Sequence, residues 1–166
     1  MPDFSALLSR PAGKAIKPPI LPVELYPAIV RRFEHGDQNR QRTPYVRFLV
    51  GLTDWPESIP PGSPDRQYLD ADGNSQEIDL SRRQFHADFY ITEDALGILD
   101  DFLRSCGINL TGLSYNEAVP QVVGAQCLAR VGQYINESTG ERANARRLDA
   151  LIGTAREQSR SRTAAA

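Results

Sequence analysis

Apolar and polar residues alternate in several stretches of this chain, the period of a strand with one buried face. In 45–53, Val46, Phe48, Val50 and Leu52 share one side, and Tyr45, Arg47 and Leu49 the other. In 83–91, Phe85, Ala87, Phe89 and Ile91 point inward and Gln84, His86, Asp88 and Tyr90 outward. In 23–34 there are two apolar rows: Val23, Leu25, Ile29 and Phe33 on one side, Tyr26, Ala28 and Val30 on the other. That predicts a long first strand covered on both faces over part of its length. After Thr92 the period lengthens to that of a helix. Leu96, Leu99, Leu103 and Cys106 form a stripe, Thr92 suits the N-cap, Glu93 and Asp94 suit the positive end of the dipole, and Gly107 supplies the stop. A helix is therefore predicted over 93–105. Residues 126–135 predict a fourth strand. Residues 141–148 predict a weaker fifth, with a short helix through Leu151 as the alternative.

The connections complete the outline. Residues 35–43 are a polar turn. Residues 55–79 form a long loop punctuated by Pro56, Pro60, Pro61 and Pro64, and a loop of that length is either functional or mobile. Its Asp70-Ala71-Asp72-Gly73 resembles part of a calcium loop, but that register puts Tyr68 at the first ligand position, and a hairpin turn fits better. Trp55 reads as an anchor for this loop. The first 22 residues, with Pro2, Pro11, Pro18, Pro19 and Pro22, predict an extended arm, and 153–166 a disordered tail. Strand-strand-strand-helix-strand-strand is the order of an OB-fold. The expectation is a mainly β chain whose domain, 23–152, is an OB-like five-stranded barrel with one helix between strands 3 and 4. The helix should plug one end, burying Leu96, Leu99 and Leu103 against Val46, Phe48, Phe85 and Phe89.

Composition narrows the chemistry. The net charge of -2 argues against binding nucleic acid over the whole surface but leaves room for a local basic patch. Lys14 and Lys17 are the only lysines, so any such patch is built from arginine, which stacks as well as pairs with phosphate. Cys106, Cys127, His35 and His86 lack metal-ligand spacing, and no cofactor or metal is expected. A phosphate-binding glycine loop, a nucleophile elbow and a zinc deaminase pattern are all missing, so the chain is not expected to be an enzyme. No apolar run approaches the roughly 20 residues that span a bilayer, and no signal peptide is evident. The expected location is the cytoplasm, with no membrane partner.

Binding is the remaining class. Proteins that hold single strands combine a basic track for phosphates with aromatic faces for bases. Tyr45 and Arg47 on the second strand, and His86 and Tyr90 on the third, fall on one outer face. Arg40 and Arg42 crown the hairpin loop before the second strand, and Arg130 and Tyr134 share a side of the fourth. Any one of these also serves as ordinary sheet surface, since tyrosine is a good strand former. Their coincidence on one face singles them out.

Several short motifs carry a family resemblance. They are Leu21-Pro22-x-x-x-Tyr26, Thr43-Pro44-Tyr45, Asp88-Phe89-Tyr90-Ile91-Thr92, Leu99-x-x-Phe102-Leu103-x-x-x-Gly107, Val123-Gly124-x-x-Cys127-Leu128-Ala129-Arg130-Val131 and Thr139-Gly140-Glu141. Through them the chain resembles phage-encoded and prophage-encoded OB-fold proteins of replication and recombination modules. It departs from them at Leu25, where a glycine is usual, and in the length of the 55–79 insertion. Its arginine- and alanine-rich tail also differs from the acidic tip of bacterial single-strand binders. The resemblance implies sequence-independent binding of single-stranded DNA as an accessory to phage-type DNA replication or recombination. Recombination or replication proteins would then be partners, and a homo-oligomer stays open. The alternative is an OB-like protein-interaction or virion-structural module without nucleic-acid binding.

Overall fold

Alternation does build the central strands. In the computed structural model, which describes residues 19–37 and 42–154 together with Ser5, Leu8 and Ser9, β2 (Tyr45–Leu52) buries Val46, Phe48, Val50 and Leu52. It pairs antiparallel with β1 (Glu24–Gly36) and β5 (Gln84–Tyr90), and β5 buries Phe85 and Ala87. β6 (Gln126–Val131) pairs with the first half of β1, and β9 (Ala150–Gly153) pairs with β6. The result is a curled, five-stranded antiparallel half-barrel in the order β5-β2-β1-β6-β9. Its curl brings β5 to the chain leading into β9. His86 N–H donates to the Arg146 carbonyl (2.9 Å), and Leu148 N–H donates to the His86 carbonyl (2.8 Å).

The first strand differs from its alternation. A β-bulge between Val30 and Arg32 inserts one residue. The inward row is Tyr26, Ala28 and Val30 before the bulge, then Phe33, which faces Phe48. Phe33 and Val30 were expected on opposite sides; the extra residue puts them on the same one. Tyr26 is fully buried and donates its hydroxyl to the Pro22 carbonyl (2.8 Å). Burial, with the nearby Glu24 charge, pushes this phenol far above its ordinary pKa.

The helix placement also differs from expectation. Thr92 Oγ1 accepts from Ala95 N–H (3.2 Å), but this closes a preliminary turn, and α1 runs Leu96–Ser105 rather than from Glu93. In chain order α1 stands between β5 and β6, because a hairpin of β3 (Gln67–Leu69) and β4 (Ser75–Glu77) precedes it. Leu99, Phe102 and Leu103 are its buried residues, while Leu96 and Cys106 are only partly covered. Phe102 leads the packing, 5.1 Å from Phe89 and 5.3 Å from Phe48 between ring centroids. Gly107, at φ 86°, ends the helix. Its N–H donates to the Arg104 carbonyl (2.9 Å) and that of Ile108 to the Leu103 carbonyl (3.2 Å).

Residues just outside 23–152 join the packed structure at both ends. Leu21, assigned to the arm, is fully buried, and Gly153, assigned to the tail, lies in β9. The rest of the expected arm and tail falls outside the described residues, apart from Pro19, Ile20, Pro22, Ser5, Leu8, Ser9 and Thr154. The expected fourth strand stops at Val131 and resumes after Gly132 as β7 (Gln133–Ile135), which pairs with β8 (Arg142–Asn144) in a hairpin of its own. The Asp149 carboxylate occupies the space a Cβ on Gly132 would need. The fifth strand of the sheet is consequently β9, not 141–148.

The 55–79 loop is ordered by its own contacts. Ile59 and Ile78 are buried, Trp55 packs at 6.1 Å from Tyr26, and the Arg66 guanidinium lies over Trp55 while donating to the Ile59 carbonyl (2.6 Å and 3.0 Å). Asp70 Oδ1 accepts from the N–H groups of Asp72 (3.0 Å) and Asn74 (2.9 Å), the hairpin turn expected there. Among the described residues, no helix is long and apolar enough to cross a membrane.

Candidate nucleic-acid interface

Strand register lays out the outer face of β1, β2 and β5 as rows. One row is Gly36, Tyr45 and Tyr90; the next is Glu34, Arg47 and Asp88; the third is Arg32, Leu49 and His86. Gly36 lets the Tyr45 ring lie across β1, where a Cβ would collide with it. Tyr90, 36% exposed, stands directly opposite Tyr45. These two rings are the tyrosines at this end of the face.

Arg47 is not an open cation. Its Nε donates to Asp88 Oδ1 (2.7 Å) and its Nη2 to Asp88 Oδ2 (3.0 Å), a two-point fork. This bond holds the guanidinium charged and raises its pKa. Its carbon also sits 5.2 Å from the Tyr45 ring centroid.

His86 faces the same side. Burial and then the Arg47 charge depress its pKa, with Asp88 opposing and Arg147 adding to the depression. Cations that the candidate set missed stand beside it. The bulge turns Arg31 and Arg32 outward together, and the Arg31 guanidinium covers Gly51. Arg146 and Arg147 arrive on the segment bonded to His86. Among the described residues, none of these four arginines makes an ion pair. Paired arginines in the sequence were the available signal, but only the bulge and the closing segment bring them to this face.

Beyond His86 the face continues into a cleft of about 950 Å³ between the β3–β4 and β7–β8 hairpins. Tyr68, Tyr134, Gln84, Arg142 and Arg146 line it. Tyr134, 51% exposed, thus stands with His86 rather than with Arg130. Arg130 lies opposite Leu25, at the far end of β1 from Tyr45. Arg42 is exposed at the entrance to β2 with φ 53°, and Arg40 falls outside the described residues. The eight candidates therefore divide. Tyr45, Arg47 and Tyr90 share one end of the face, His86 and Tyr134 the cleft, and Arg130 stands apart.

The remaining chemistry is muted. Burial pushes the thiols of Cys106 and Cys127 up to about 11 and about 12, so both are protonated and weak as nucleophiles or ligands. Among the described residues, no three His, Cys, Asp or Glu side chains cluster as a metal site. The face offers aromatic rings, guanidinium groups and side-chain amides. Neither family models nor curated proteins match this chain.

Proposed function

We propose that this chain is an OB-like barrel that binds single-stranded DNA without sequence preference, acting in the cytoplasm as an accessory to phage-type replication or recombination. The observation that carries the binding proposal is the Tyr45–Tyr90 pair on one outer face, with Arg31, Arg32, Arg146 and Arg147 farther along that face beside His86. Strands two and three of an OB barrel, with the loops after strands one and four, form its usual ligand face. On this reading β2 and β5 stand for those strands, and the β7–β8 hairpin, between β6 and β9, for the second loop. The long bulged β1, shared between β2 and β6, also supports the barrel assignment. The motif resemblance supplies the replication and recombination setting.

On this reading the protein is a binder and not an enzyme. Fluorescence anisotropy with oligo-dT and a duplex of equal length, at low and moderate salt, tests it. Preferential binding of oligo-dT supports it. No binding at tens of micromolar, or equal affinity for duplex, favours instead a protein-interaction or virion-structural module. The Asp88 carboxylate on Arg47 and the net charge of -2 are the features that speak for that alternative.

A further inference from the structure

The middle row of the outer face carries an excess of negative charge. Glu34, Arg47 and Asp88 lie side by side across three strands, two carboxylates flanking one guanidinium. Asp88 occupies two of the in-plane donor positions of Arg47, and the Tyr45 ring lies close to the guanidinium. A phosphate placed on this row meets two carboxylates and an arginine whose Nε–Nη2 edge is already taken by Asp88. A base meets something else. The guanidinium is a flat, oriented surface held against the Tyr45 ring, and arginine planes stack on bases as aromatic rings do.

We infer that this row makes the face select single strands over duplex, with Asp88 as the specificity-determining residue and Glu34 as its second. The inference rests on the nucleic-acid reading of the face. A single strand can turn its unstacked bases onto Tyr45, Arg47 and Tyr90 and leave its phosphates to Arg31, Arg32, Arg146 and Arg147. A duplex keeps its base faces stacked inside and presents two charged backbones at its surface. To lie on this face it must set phosphates against Glu34 and Asp88, and like charges brought together at an interface weaken the wrong complex. Arg47 accordingly serves as a stacking platform positioned by Asp88, not as a phosphate ligand.

Asp88→Asn and Glu34→Gln test this, each titrated with oligo-dT and with a duplex of equal length over a range of salt. The expected result is duplex binding tighter by roughly fivefold to tenfold in either variant, from removal of one nearby like charge. Oligo-dT affinity rises by a smaller factor. The duplex salt slope steepens by about 0.9 for each phosphate newly engaged. Arg47→Ala should weaken oligo-dT binding with its salt slope unchanged. Glu34 is exposed and outside the fork, so Glu34→Gln keeps the test decisive if Asp88→Asn loosens the sheet. An unchanged ratio of single-strand to duplex affinity in both carboxylate variants, with wild-type oligo-dT binding intact, overturns this inference alone. Failure of the wild-type chain to bind oligo-dT overturns the DNA-binding proposal and this inference together.

Discussion

Asn144 holds Leu21 by both backbone groups. Leu21 N–H donates to Asn144 Oδ1 (2.7 Å), and Asn144 Nδ2 donates to the Leu21 carbonyl (2.9 Å). The same amide accepts from Arg83 Nη2 (3.0 Å) and donates to the Gly132 carbonyl (3.2 Å). One side chain thus joins the entry to β1, the entry to β5 and the break between β6 and β7. Burial lowers the pKa of Arg83, whose guanidinium also donates to the Pro19 carbonyl, so this node must supply partners to a half-buried cation. Replacing Asn144 by alanine takes this partner from the Leu21 N–H and Arg83 Nη2, at roughly 1–3 kcal/mol for each group that stays dry. The Leu21 and Gly132 carbonyls keep Gln133 Nε2 (2.8 Å) and Ala145 N–H (3.2 Å). The expected loss in urea unfolding is about 2–4 kcal/mol. Limited proteolysis near residue 21 should accelerate in the same variant. A loss below about half a kcal/mol would show that water replaces the amide.

Tyr45→Ala and Tyr90→Ala should each weaken oligo-dT binding by about 1–3 kcal/mol, the usual range for one base stack. Their salt slopes should match that of the unaltered protein, because no phosphate contact is removed. Replacing Arg146 and Arg147 together should do the reverse, making the slope shallower by about 0.7 for each lost phosphate contact. Anisotropy titrations across salt separate the two effects. A tyrosine variant that changes the slope would place phosphate, not base, at that ring.

His86 adds a pH dependence of definite sign. Its folded-state pKa lies below the ordinary value near 6.5, chiefly through burial and then through the Arg47 charge. The unfolded chain therefore takes up the proton first. This histidine's contribution to stability is complete above about 6.5 and is lost as pH falls from there through the folded-state pKa. A polyanion bound beside it favours the proton, so oligonucleotide binding should take up a proton and tighten as pH falls below about 6.5. His86→Gln should flatten both dependences. The groups facing it are Arg47 and Arg147, which oppose protonation, and Asp88 and Glu34, which favour it. Binding isotherms in buffers of different ionisation enthalpy measure the uptake directly.

Gly153 lies where β9 meets the end of α1. A Cβ there would run into the backbone of Ser105 and Cys106, and Gly153 N–H donates to Ser105 Oγ (2.9 Å). Gly153→Ala should cost about 1–3 kcal/mol, the usual range for overpacking a site with backbone on its far side. Thermal or urea unfolding checks this. A neutral result would mean that the helix end shifts freely.

Much of the fold could be read from the residues alone. The alternation of β2 and β5 names the buried sides correctly, because a half-buried strand repeats every two residues whatever its neighbours are. Gly107 marks the helix end for an equally local reason: its positive φ suits glycine. Tyr45, Arg47, His86 and Tyr90 fall on one outer face by the same two-residue rule. The bulge at Arg31 escapes that rule, because one inserted residue reverses the face of everything that follows and its only mark is the consecutive Arg31-Arg32 pair. Leu21 and Gly153 fall to the arm and the tail in the sequence because what holds them is Asn144 and Ser105, more than 40 positions away in each case. The charge of the face was undecided for the same reason. Whether Arg47 is an open cation or the partner of Asp88 depends on the register of β2 against β5. Strand pairing sets that register through contacts distant in sequence, whereas side-chain period and backbone angle are settled within a few residues.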